Sequence, residues 1–228
     1  MIKIEKTDVY GWESAIRGMR NPLNSWEKSD SDCATIIKLE GGRYIEDFIG
    51  DNDLDLMKRL VSAGSDHAKF MRMITVTCDI TAPLYWWKEF DTYKVGTVAN
   101  SCSTMHKIHA KEFTLDDFSH EHLIVDPKDD FPSINMVAYL EEHIKVLNYF
   151  RQCYKDLEGS PISAESQKKF WWQMIQLLPS SYNQKRTVQL NYAVLRNMYH
   201  ARKNHKLDEW RELCKYIETL PYAELIVG

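Results

Sequence analysis

The sequence predicts an α+β protein, because one stretch alternates in the manner of a strand and several others carry the spacing of amphipathic helices. From Met73 to Ile80, apolar and more polar side chains take turns, which is the pattern of a half-buried strand. From Ile134 to Leu157, apolar side chains recur at helical spacing and predict a long helix with one stripe facing the core. No linker rich in Gly, Ser or Pro divides the 228 residues, so we expect one domain spanning residues 1–228.

The first third of the chain carries shorter signals of the same two kinds. The residue before a proline avoids the helical conformation, so Arg20-Asn21-Pro22 should interrupt the first helix. Asp51 or Asn52 should lie near the N-cap of the next helix, and Gly64 can supply the left-handed conformation that ends it. In chain order, the predicted elements are a strand from Ile2 to Val9, a helix from Trp12 to Met19, a strand from Ala34 to Leu39 and a helix from Asp51 to Ala63.

The C-terminal half is predicted to be mostly helical. Gly159-Ser160-Pro161 should close the long helix, and Ser163 is a favoured N-cap for a second helix that runs to Pro179. The segment from Thr187 to Lys206 indicates a further helix.

Composition and charge bound the class of protein. Hydrophobic residues make up 44% of the chain and charged residues 27%, which are ordinary values for a globular domain. The net charge of -4 argues against a general nucleic-acid binder, and no apolar run approaches the roughly 20 residues of a membrane-spanning helix. The N-terminus lacks the apolar core of a signal peptide, so we expect a cytoplasmic protein with no membrane partner.

Neither the cysteines nor the histidines predict a metal site or a disulfide framework. The five cysteines are odd in number and scattered, and no two form a C-x-x-C pair. From Lys107 to Pro132 the chain is polar, and His120 and His122 lie two residues apart, a spacing that does not bring them together on a helix. We therefore expect no metal, and we interpret residues 107–132 as a solvated or lid-like insertion.

The stretch from Ala82 to His106 holds most of the unusual chemistry. Pro83 should end the predicted strand and open a helix, because proline cannot donate to a sheet but fits a first helical turn. A run rich in hydroxyl and thiol groups follows from Thr97 to Thr104 and suits a surface that binds a polar ligand. A strand that leads into a helix and a polar loop is a common support for a ligand site.

These residues resemble the flavin-dependent thymidylate synthases. In that family a strand ends in an Ala-Pro pair, a helix follows, and then comes the signature R-H-R-x-x-S, with N-E-x-S just after it. Placed on Ala82-Pro83 without gaps, the signature falls on residues 92–97, Thr-Tyr-Lys-Val-Gly-Thr, and the N-E-x-S part falls on residues 100–103 with one insertion. Counting back from the same pair, His67 falls on the histidine that contacts the flavin in the family.

The C-terminal third gives a second match. Members of the family carry a helix ending in Leu-Pro and then a helix with an Asn, a second Asn six positions on, and an Arg eleven positions on. Here Leu178-Pro179 is followed by Asn191, Asn197 and Arg202, which keep those two steps. At 3.6 residues per turn, Asn191 and Arg202 should share a face of the predicted helix, and Asn197 should lie to its other side.

The resemblance implies a small mixed or antiparallel sheet with several long helices, and it implies FAD as the cofactor. It also implies that a pyrimidine deoxynucleotide, dUMP or a related nucleotide, is methylated at uracil C5, with NADPH and methylenetetrahydrofolate as co-substrates. By position, Arg202 would be the catalytic residue and would face the pyrimidine. The flavin contacts would be His67, Tyr93, Lys94, Thr97, Asn191 and Asn197, and the nucleotide contacts would be Glu89, Thr92, Asn100, Ser103, Thr104 and Arg202.

Several positions depart from the family pattern. Thr92 and Tyr93 replace two basic residues of the signature, and Ile175 replaces an arginine that holds the nucleotide in the family. A catalytically inactive relative, acting as a nucleotide-binding or structural protein, is therefore an alternative. Another is a nucleic-acid-binding module with stacking rings among basic residues, namely Tyr192 and Tyr199 among Lys185, Arg186, Arg196, Arg202, Lys203 and Lys206, although no nucleic acid is expected from the net charge.

The resemblance also implies a homotetramer, because the family builds each site from several subunits. Two adjacent tryptophan pairs, Trp86-Trp87 and Trp171-Trp172, fit buried contact surfaces between subunits. Interface cores favour aromatic residues of this kind.

Overall fold

The computed structural model describes residues 2–39, 42–125, 134–159 and 164–228, and within them the chain is α+β as predicted. The strands are β1 (Lys3–Tyr10), β2 (Asp32–Leu39), β3 (Gly42–Phe48), β4 (Thr75–Pro83), β5 (Val98–Ser101) and β6 (Asn183–Asn191). The helices are α1 (Trp12–Arg20), α2 (Asp51–Ser62), α3 (Leu84–Phe90), α4 (Met136–Asp156), α5 (Ala164–Leu177), α6 (Tyr192–Arg202), α7 (Asp208–Glu218) and α8 (Glu224–Val227). Short 3-10 turns lie at Asn21–Leu23, Trp26–Lys28, Ala68–Arg72 and Leu115–Asp117.

Within the described ranges, β1, β4, β6 and β5 form one sheet in that order, and β2 and β3 form a separate antiparallel pair. Strands β4 and β6 run antiparallel, because backbone bonds join the start of each strand to the end of the other. The amide of Tyr192 donates to the oxygen of Ile74, and the amide of Leu84 donates to the oxygen of Tyr182, both at 3.0 Å. The sequence did not predict β3 or β5.

The strand predicted from the alternating pattern is β4, which begins two residues later than expected and continues to Pro83. Its apolar face is buried as predicted, with Val76, Cys78 and Ile80 inside. Pro83 occupies the N-cap of α3, a position where its missing N–H leaves no helical bond unmade. The expected passage from strand to helix at this proline is therefore confirmed.

The chain divides into two compact units. The first holds residues 1–3, 80–92 and 100–186, and the second holds residues 4–79, 93–99 and 187–228. That residues 1–228 act as one domain stays a prediction. In the part of the chain that the structure describes, no helix is both long and apolar enough to cross a membrane.

The core of the first unit lies where α4 and α5 pack together. Leu140, Ile144 and Leu147 form the predicted apolar stripe of α4, and Met174 projects from α5 into the same cluster. Burying each such side chain contributes about 1.5–3 kcal/mol. Asn135 caps α4 by accepting a 2.9 Å hydrogen bond from an amide of the first turn. The predicted cap of α5 at Ser163 lies outside the described residues.

Residues 107–125, the described part of the predicted insertion, are mostly exposed or half-buried, and a few buried side chains anchor them. Ile108, Phe113 and Phe118 are buried and belong to the cluster between α4 and α5. Asn148 of α4 fixes this segment, since its side chain makes two hydrogen bonds of 2.8 and 2.9 Å with the backbone of Phe113. A solvated or lid-like insertion therefore stays a prediction, and the sequence did not indicate that a few widely spaced apolar residues pack this segment against α4 and α5. Residues 126–132 lie outside the described residues.

Helix α3 is buried by its aromatic side. Trp86, Trp87 and Phe90 are all inside the first unit. The indole N–H of Trp87 donates a 2.9 Å hydrogen bond to the backbone oxygen of Gln184, and the guanidinium of Arg186 lies 4.2 Å from the centre of the Trp87 ring. The expectation that Trp86-Trp87 forms a contact surface between subunits is wrong, because both rings pack within their own chain.

The second unit packs its helices around aromatic side chains. Trp12 of α1 meets the rings of Tyr192 and Tyr222 edge-on, with centroid distances of 5.3 and 5.1 Å. Trp210 and Ile217 of α7 are fully buried in this unit. Helix α7 is therefore a core element, although the sequence analysis did not identify it.

A buried ion pair joins α1 to α2. Nε of Arg20 donates to Oδ1 of Asp53 at 2.6 Å, and the two residues are 3% and 0% exposed. Ser29, Asp30 and Ser31 donate hydrogen bonds of 2.7 to 3.2 Å to the other carboxylate oxygen. Burial raises the pKa of Asp53, but the hydrogen bonds from Ser31, Ser29, Arg20 and Asp30 together outweigh it and hold that pKa below its ordinary value.

The predicted start of α2 is confirmed, because Asp51 directly follows the N-cap residue Gly50. The helix begins after Gly50, and the carboxylate of Asp30 accepts hydrogen bonds of 2.9 and 3.1 Å from the amides of Asn52 and Asp53. A side chain distant in sequence, Asp30, therefore caps the first turn of α2, which the sequence did not predict. The predicted left-handed Gly64 after the helix is confirmed, with φ of 106°.

The helix predicted over residues 187–206 was wrong at both ends. The chain is strand β6 as far as Asn191 and helix α6 only from Tyr192 to Arg202. Val188 and Leu190 are buried and alternate with polar neighbours, which is the period of a strand. The five residues of β6 that fall in the predicted helix, 187–191, are too few for the period of a strand to stand out beside that of a helix.

Candidate functional site

A cavity of about 400 Å³ lies in the second unit, where β6 passes into α6. Its volume falls within the roughly 300–1,000 Å³ typical of ligand pockets. The walls come from the loop before β5, the first two turns of α6 and the end of the 3-10 turn that precedes β4. The lining residues are Arg72, Val95, Gly96, Asn191, Ala193, Val194 and Asn197.

Asn191 and Gly96 meet at this cavity. Oδ1 of Asn191 accepts a 2.9 Å hydrogen bond from the amide of Val194 and so caps α6. This bond fixes the side chain with Nδ2 directed at Gly96, where an added Cβ would lie only 2.5 Å from that nitrogen. Gly96 also has φ of 81°, in the left-handed region. Glycine is needed here for both the conformation and the close approach.

The two asparagines predicted to bind flavin line the same cavity. Asn191 and Asn197 are both in its wall, whereas Arg202 is not part of that lining. The expectation that Asn191 and Arg202 share a helix face was wrong, because Asn191 precedes the helix and caps it. Each asparagine amide offers two N–H donors and an acceptor. The cavity therefore presents several neutral donors after the cap bond has been made.

A neighbouring cavity of about 280 Å³ shares Arg72 and Ala193 with the first. Gly64, Ser65 and Ala68 are among its lining, so the loop that carries His67 forms part of its wall. His67 itself is exposed at the start of the 3-10 turn and does not line either cavity. Arg72 was missed by sequence reasoning. The signal available was a basic residue at the end of this turn, close before the strand.

Arg202 is held by two aromatic side chains. Its Nε donates a 2.9 Å hydrogen bond to the hydroxyl of Tyr93, and its guanidinium lies 4.7 Å from the ring centre of Trp210. A guanidinium over an aromatic face gains about 0.5–2 kcal/mol. The hydroxyl of Thr97 donates to the backbone oxygen of Tyr93 and closes the signature loop, while Lys94 is exposed. Arg202 is half-buried and fixed in direction before any ligand arrives.

The predicted nucleotide contacts of the first unit are at its surface or half-buried, and some make local hydrogen bonds. The hydroxyl of Thr92 donates to the backbone oxygen of Glu89 at 2.7 Å. The hydroxyl of Ser103 accepts hydrogen bonds from the amides of Met105 and His106, at 3.2 and 2.9 Å, and shapes the turn that follows β5. The predicted nucleotide contacts of this unit are Glu89, Thr92, Asn100, Ser103 and Thr104.

The nucleic-acid alternative loses several of its residues. Tyr192 is buried and its hydroxyl donates to a backbone oxygen, so its ring cannot stack on a base. Arg196 donates to backbone oxygens of α8, and Arg186 pairs with Asp91 at 2.7 Å. The basic residues that were expected to form one stacking surface are thus partly used inside the fold.

The cysteines and acidic groups give no sign of other chemistry. Within the described ranges, no three His, Cys, Asp or Glu residues are grouped so as to hold a metal ion. Burial raises the pKa of Cys78 and of Cys214 to about 11, which disfavours the reactive thiolate at both. Cys102 is exposed.

The donors of the first cavity fit a flavin. The flavin ring carries carbonyl oxygens and ring nitrogens along one edge, and FAD adds a negatively charged pyrophosphate. Asn191 and Asn197 offer neutral donors to such an edge, and Arg72 offers a charged donor. The lining contains no aromatic side chain, so the fit concerns the polar edge and the charge rather than stacking.

Comparison with solved structures identifies the fold. The flavin-dependent thymidylate synthase ThyX from Helicobacter pylori, complexed with FAD and dUMP, matches with a TM-score of 0.64 and 15% identity, over 99% of this chain and 98% of its own. A second structure of that ThyX with FAD and dUMP gives 0.64 and 15%, over 99% and 97%. The UMP/dUMP methylase PolB from Streptomyces cacaoi, bound with 5-Br dUMP, gives 0.56 and 14%, over 96% and 89%.

Sequence comparison adds nothing to this likeness. No known protein family matches the chain by its sequence pattern, and no characterised protein matches it by sequence. At 14 to 15% identity the structural likeness establishes the fold and no more. The fold predicted from Ala82-Pro83 and from the Asn-Asn-Arg spacing is confirmed.

Proposed function

We propose that this chain, whose fold is that of the flavin-dependent thymidylate synthases, binds FAD and a pyrimidine deoxynucleotide. The observation that carries the proposal is the contact of Gly96 with Asn191 at the 400 Å³ cavity. Two segments that are far apart in sequence, each marked separately by the family resemblance, come together there around donors suited to a flavin.

In the proposed complex, Asn191 and Asn197 donate hydrogen bonds to the polar edge of the flavin, and Arg72 pairs with the negatively charged pyrophosphate of FAD. His67, Tyr93, Lys94 and Thr97 are the remaining proposed flavin contacts. When bound, FAD supplies the hydride chemistry, with NADPH as the source of electrons. The protein contributes binding and orientation.

We assign the catalytic role to Arg202. For C5 to bond to an electrophilic one-carbon group, the uracil ring must first become electron-rich, with negative charge on its C4 oxygen, and a fixed guanidinium stabilises such charge. Tyr93 and Trp210 hold the side chain, so little reorganisation is needed when the ring arrives. The proposed substrate is dUMP or a related nucleotide, with methylenetetrahydrofolate as the one-carbon donor. The ligands named for ThyX and PolB, dUMP and 5-Br dUMP, support a uracil nucleotide.

A catalytically inactive relative is the second candidate, because specific contacts favour it. Thr92 stands where the family has an arginine, and its hydroxyl is bonded to the backbone of its own turn. Ile175 packs partly buried against the α4–α5 cluster instead of offering a charge. On this view the chain binds a nucleotide or serves as a scaffold without turnover.

Release of tritium from [5-³H]dUMP, in the presence of FAD, NADPH and methylenetetrahydrofolate, tests the activity. We expect release by the parent protein and a loss of at least about 100-fold in Arg202→Ala, because one charge-assisted contact in a closed site is worth roughly 2.7–4 kcal/mol of transition-state stabilisation. Cys102→Ser is the control, since Cys102 is exposed and takes no part in the proposed chemistry.

The outcomes separate the candidates. No release by the parent, together with retained dUMP binding, would favour the inactive relative. Equal loss in Arg202→Ala and Cys102→Ser would contradict the assignment of Arg202. Release by the parent that survives Arg202→Ala would mean that another residue faces the pyrimidine.

A further inference from the structure

A third cavity, of about 340 Å³, lies in the second unit between α1 and the loop that follows this helix. It shares no lining residue with the two cavities beside α6, so its walls are separate from those of the proposed flavin site. The lining residues are Glu13, Ile16, Arg17, Arg20, Trp26, Ser29 and Ser31. None of them has a part in the proposed function.

Trp26 offers a flat apolar face to this cavity. The residue is 50% exposed, and its indole N–H donates a 2.8 Å hydrogen bond to the side chain of Asn21. Ile16 is buried and supplies an apolar wall. Because the indole ring is held in place before any ligand arrives, a planar ligand can stack on it at little cost in side-chain entropy.

Arg20 brings an unused hydrogen-bond donor to the same cavity. The residue is 3% exposed, and Nη2 carries two N–H groups but makes one hydrogen bond among the described residues, to the backbone oxygen of Lys28 at 3.0 Å. Nε donates to Asp53, and Nη1 donates to Ser25. Buried donors in native proteins nearly always have acceptors. The remaining N–H of Nη2 therefore suits an acceptor atom on a bound ligand.

The charges around the cavity balance one another. Arg20 pairs with the buried Asp53 at 2.6 Å, and Arg17 lies 3.5 Å from Glu13 on the exposed side of α1. Since each cation has an anion beside it, the cavity favours a neutral ligand that offers both donors and acceptors. The hydroxyl of Ser29 already donates to Asp53 at 2.7 Å, so its oxygen is left to accept a hydrogen bond from such a ligand.

Among neutral planar rings, guanine matches this set of groups. Its O6 and N7 accept hydrogen bonds, and arginine is the side chain that most often contacts them. Its N1–H and 2-amino group are two neighbouring donors, which a carboxylate such as that of Glu13 can accept together. Adenine, cytosine and uracil each offer one donor group with an acceptor atom next to it, and that acceptor would face the negative oxygens of the carboxylate.

We propose that this cavity binds a guanine nucleoside or nucleotide. The base stacks on Trp26, its acceptor edge faces Arg20 and its donor edge faces Glu13. The sugar lies towards Ser29, and a phosphate group, where present, stays in solvent. This second site goes beyond the proposed function, because a guanine base takes no part in the methylation of uracil.

Titration calorimetry on the whole protein, with and without excess FAD, tests the proposal with guanosine, GMP and inosine. Guanosine and GMP should bind alike, because the base carries the recognition. Inosine lacks the 2-amino group and should bind about tenfold more weakly, because one hydrogen bond to a carboxylate is lost. Trp26→Ala should weaken guanosine binding by about tenfold, because the base loses its stacking partner, and Trp26→Phe should restore most of it.

Glu13→Gln should remove the preference for guanosine over inosine, because the amide oxygen of glutamine cannot accept from both donors as a carboxylate does. Glu27→Gln is the matched control, since Glu27 is next to Trp26 in sequence but outside the lining. Trp172→Ala is the control for Trp26→Ala, because it removes another partly exposed tryptophan. Neither control should change guanosine binding. All four altered residues are exposed, so the variants should fold.

Several results would overturn the inference. No binding of guanosine, or equal binding by the parent and Trp26→Ala, would show that the cavity does not hold a base. A preference for guanosine over inosine that survives Glu13→Gln would show that the donor edge lies elsewhere. GMP binding about tenfold tighter than guanosine would make the cavity a site for phosphate.

The comparison with FAD separates this site from the proposed function. Guanosine should bind equally with and without FAD. Loss of guanosine binding on addition of FAD would show that the cavity belongs to the flavin site, and the inference would then be wrong. A protein that binds guanosine but retains no FAD would contradict the proposed function and leave the guanine site standing.

Discussion

Gly96→Ala probes the contact on which the proposed flavin site depends. Alanine in the left-handed conformation costs about 1 kcal/mol or more. The new Cβ would lie 2.5 Å from Nδ2 of Asn191, so that side chain must move. Moving it breaks the cap bond to the amide of Val194, and an N-cap of this kind is worth about 1 kcal/mol. Together these effects destabilise the protein by about 2–3 kcal/mol.

Gly64→Ala is the matched control for conformation. Gly64 also has a left-handed φ, but no atom lies within 4 Å of the position that its Cβ would take. Gly64→Ala should therefore destabilise the protein only by the cost of placing alanine in the left-handed conformation, about 1 kcal/mol. For a chain of this length each kcal/mol lowers the melting temperature by about 2–4 °C. At the middle of that range, about 3 °C per kcal/mol, differential scanning fluorimetry should show a loss of about 6–9 °C for Gly96→Ala and about 3 °C for Gly64→Ala.

FAD binding should separate the two variants further. Displacing Asn191 removes a donor from the cavity, so Gly96→Ala should weaken FAD binding by about tenfold, the equivalent of roughly 1.4 kcal/mol, and Gly64→Ala should not. Quenching of flavin fluorescence measures both constants. Equal melting temperatures for the two variants would refute the close contact. A destabilised Gly96→Ala variant that binds FAD normally would refute the assignment of the cavity.

Three further predictions concern the ion pair, Arg202 and assembly. Asp53→Asn should lower the free energy of unfolding in urea by about 3–5 kcal/mol, because it leaves Arg20 buried without its partner. Folding lowers the pKa of Asp53, so its contribution to stability is present above about pH 4 and is lost as pH falls through the lowered pKa. Parent stability that is unchanged on acidification would contradict this. Tyr93→Phe should weaken dUMP binding about fivefold by freeing Arg202, whose hydrogen bond is partly replaced by solvent, and unaltered binding would show that the bond does not position it. Light scattering should show a homotetramer, and a monomer at micromolar concentration would exclude shared sites.

Much of the fold was predictable from local pattern. The alternation in β4, the stripe of α4 and Gly64 after α2 each depend on a few neighbouring residues, and all three are confirmed. The misses have a common physical cause. The buried side chains within residues 107–125 and the side chain that caps α2 were not predicted, because they depend on contacts with segments distant in sequence, such as Asp30 with the amides of α2. The local sequence pattern does not indicate such contacts.

The candidate site was predictable in part. The spacing of Asn191 and Asn197 led to the cavity, although the reason given, a shared helix, was wrong. Arg72 was not predicted because no motif includes it. It lines the cavity only because the 3-10 turn that carries it lies against α6. The setting of Arg202 against Trp210 joins α6 to a helix that sequence reasoning had not found.

Flavin binding by the purified protein tests the central claim most directly. Titrated with FAD and freed of excess by gel filtration, the protein should retain about one flavin per chain and show its visible absorption. Asn191→Ala and Asn197→Ala together should abolish that retention, while Lys169→Gln should keep it. A colourless protein that retains no FAD at any concentration tested would contradict the account.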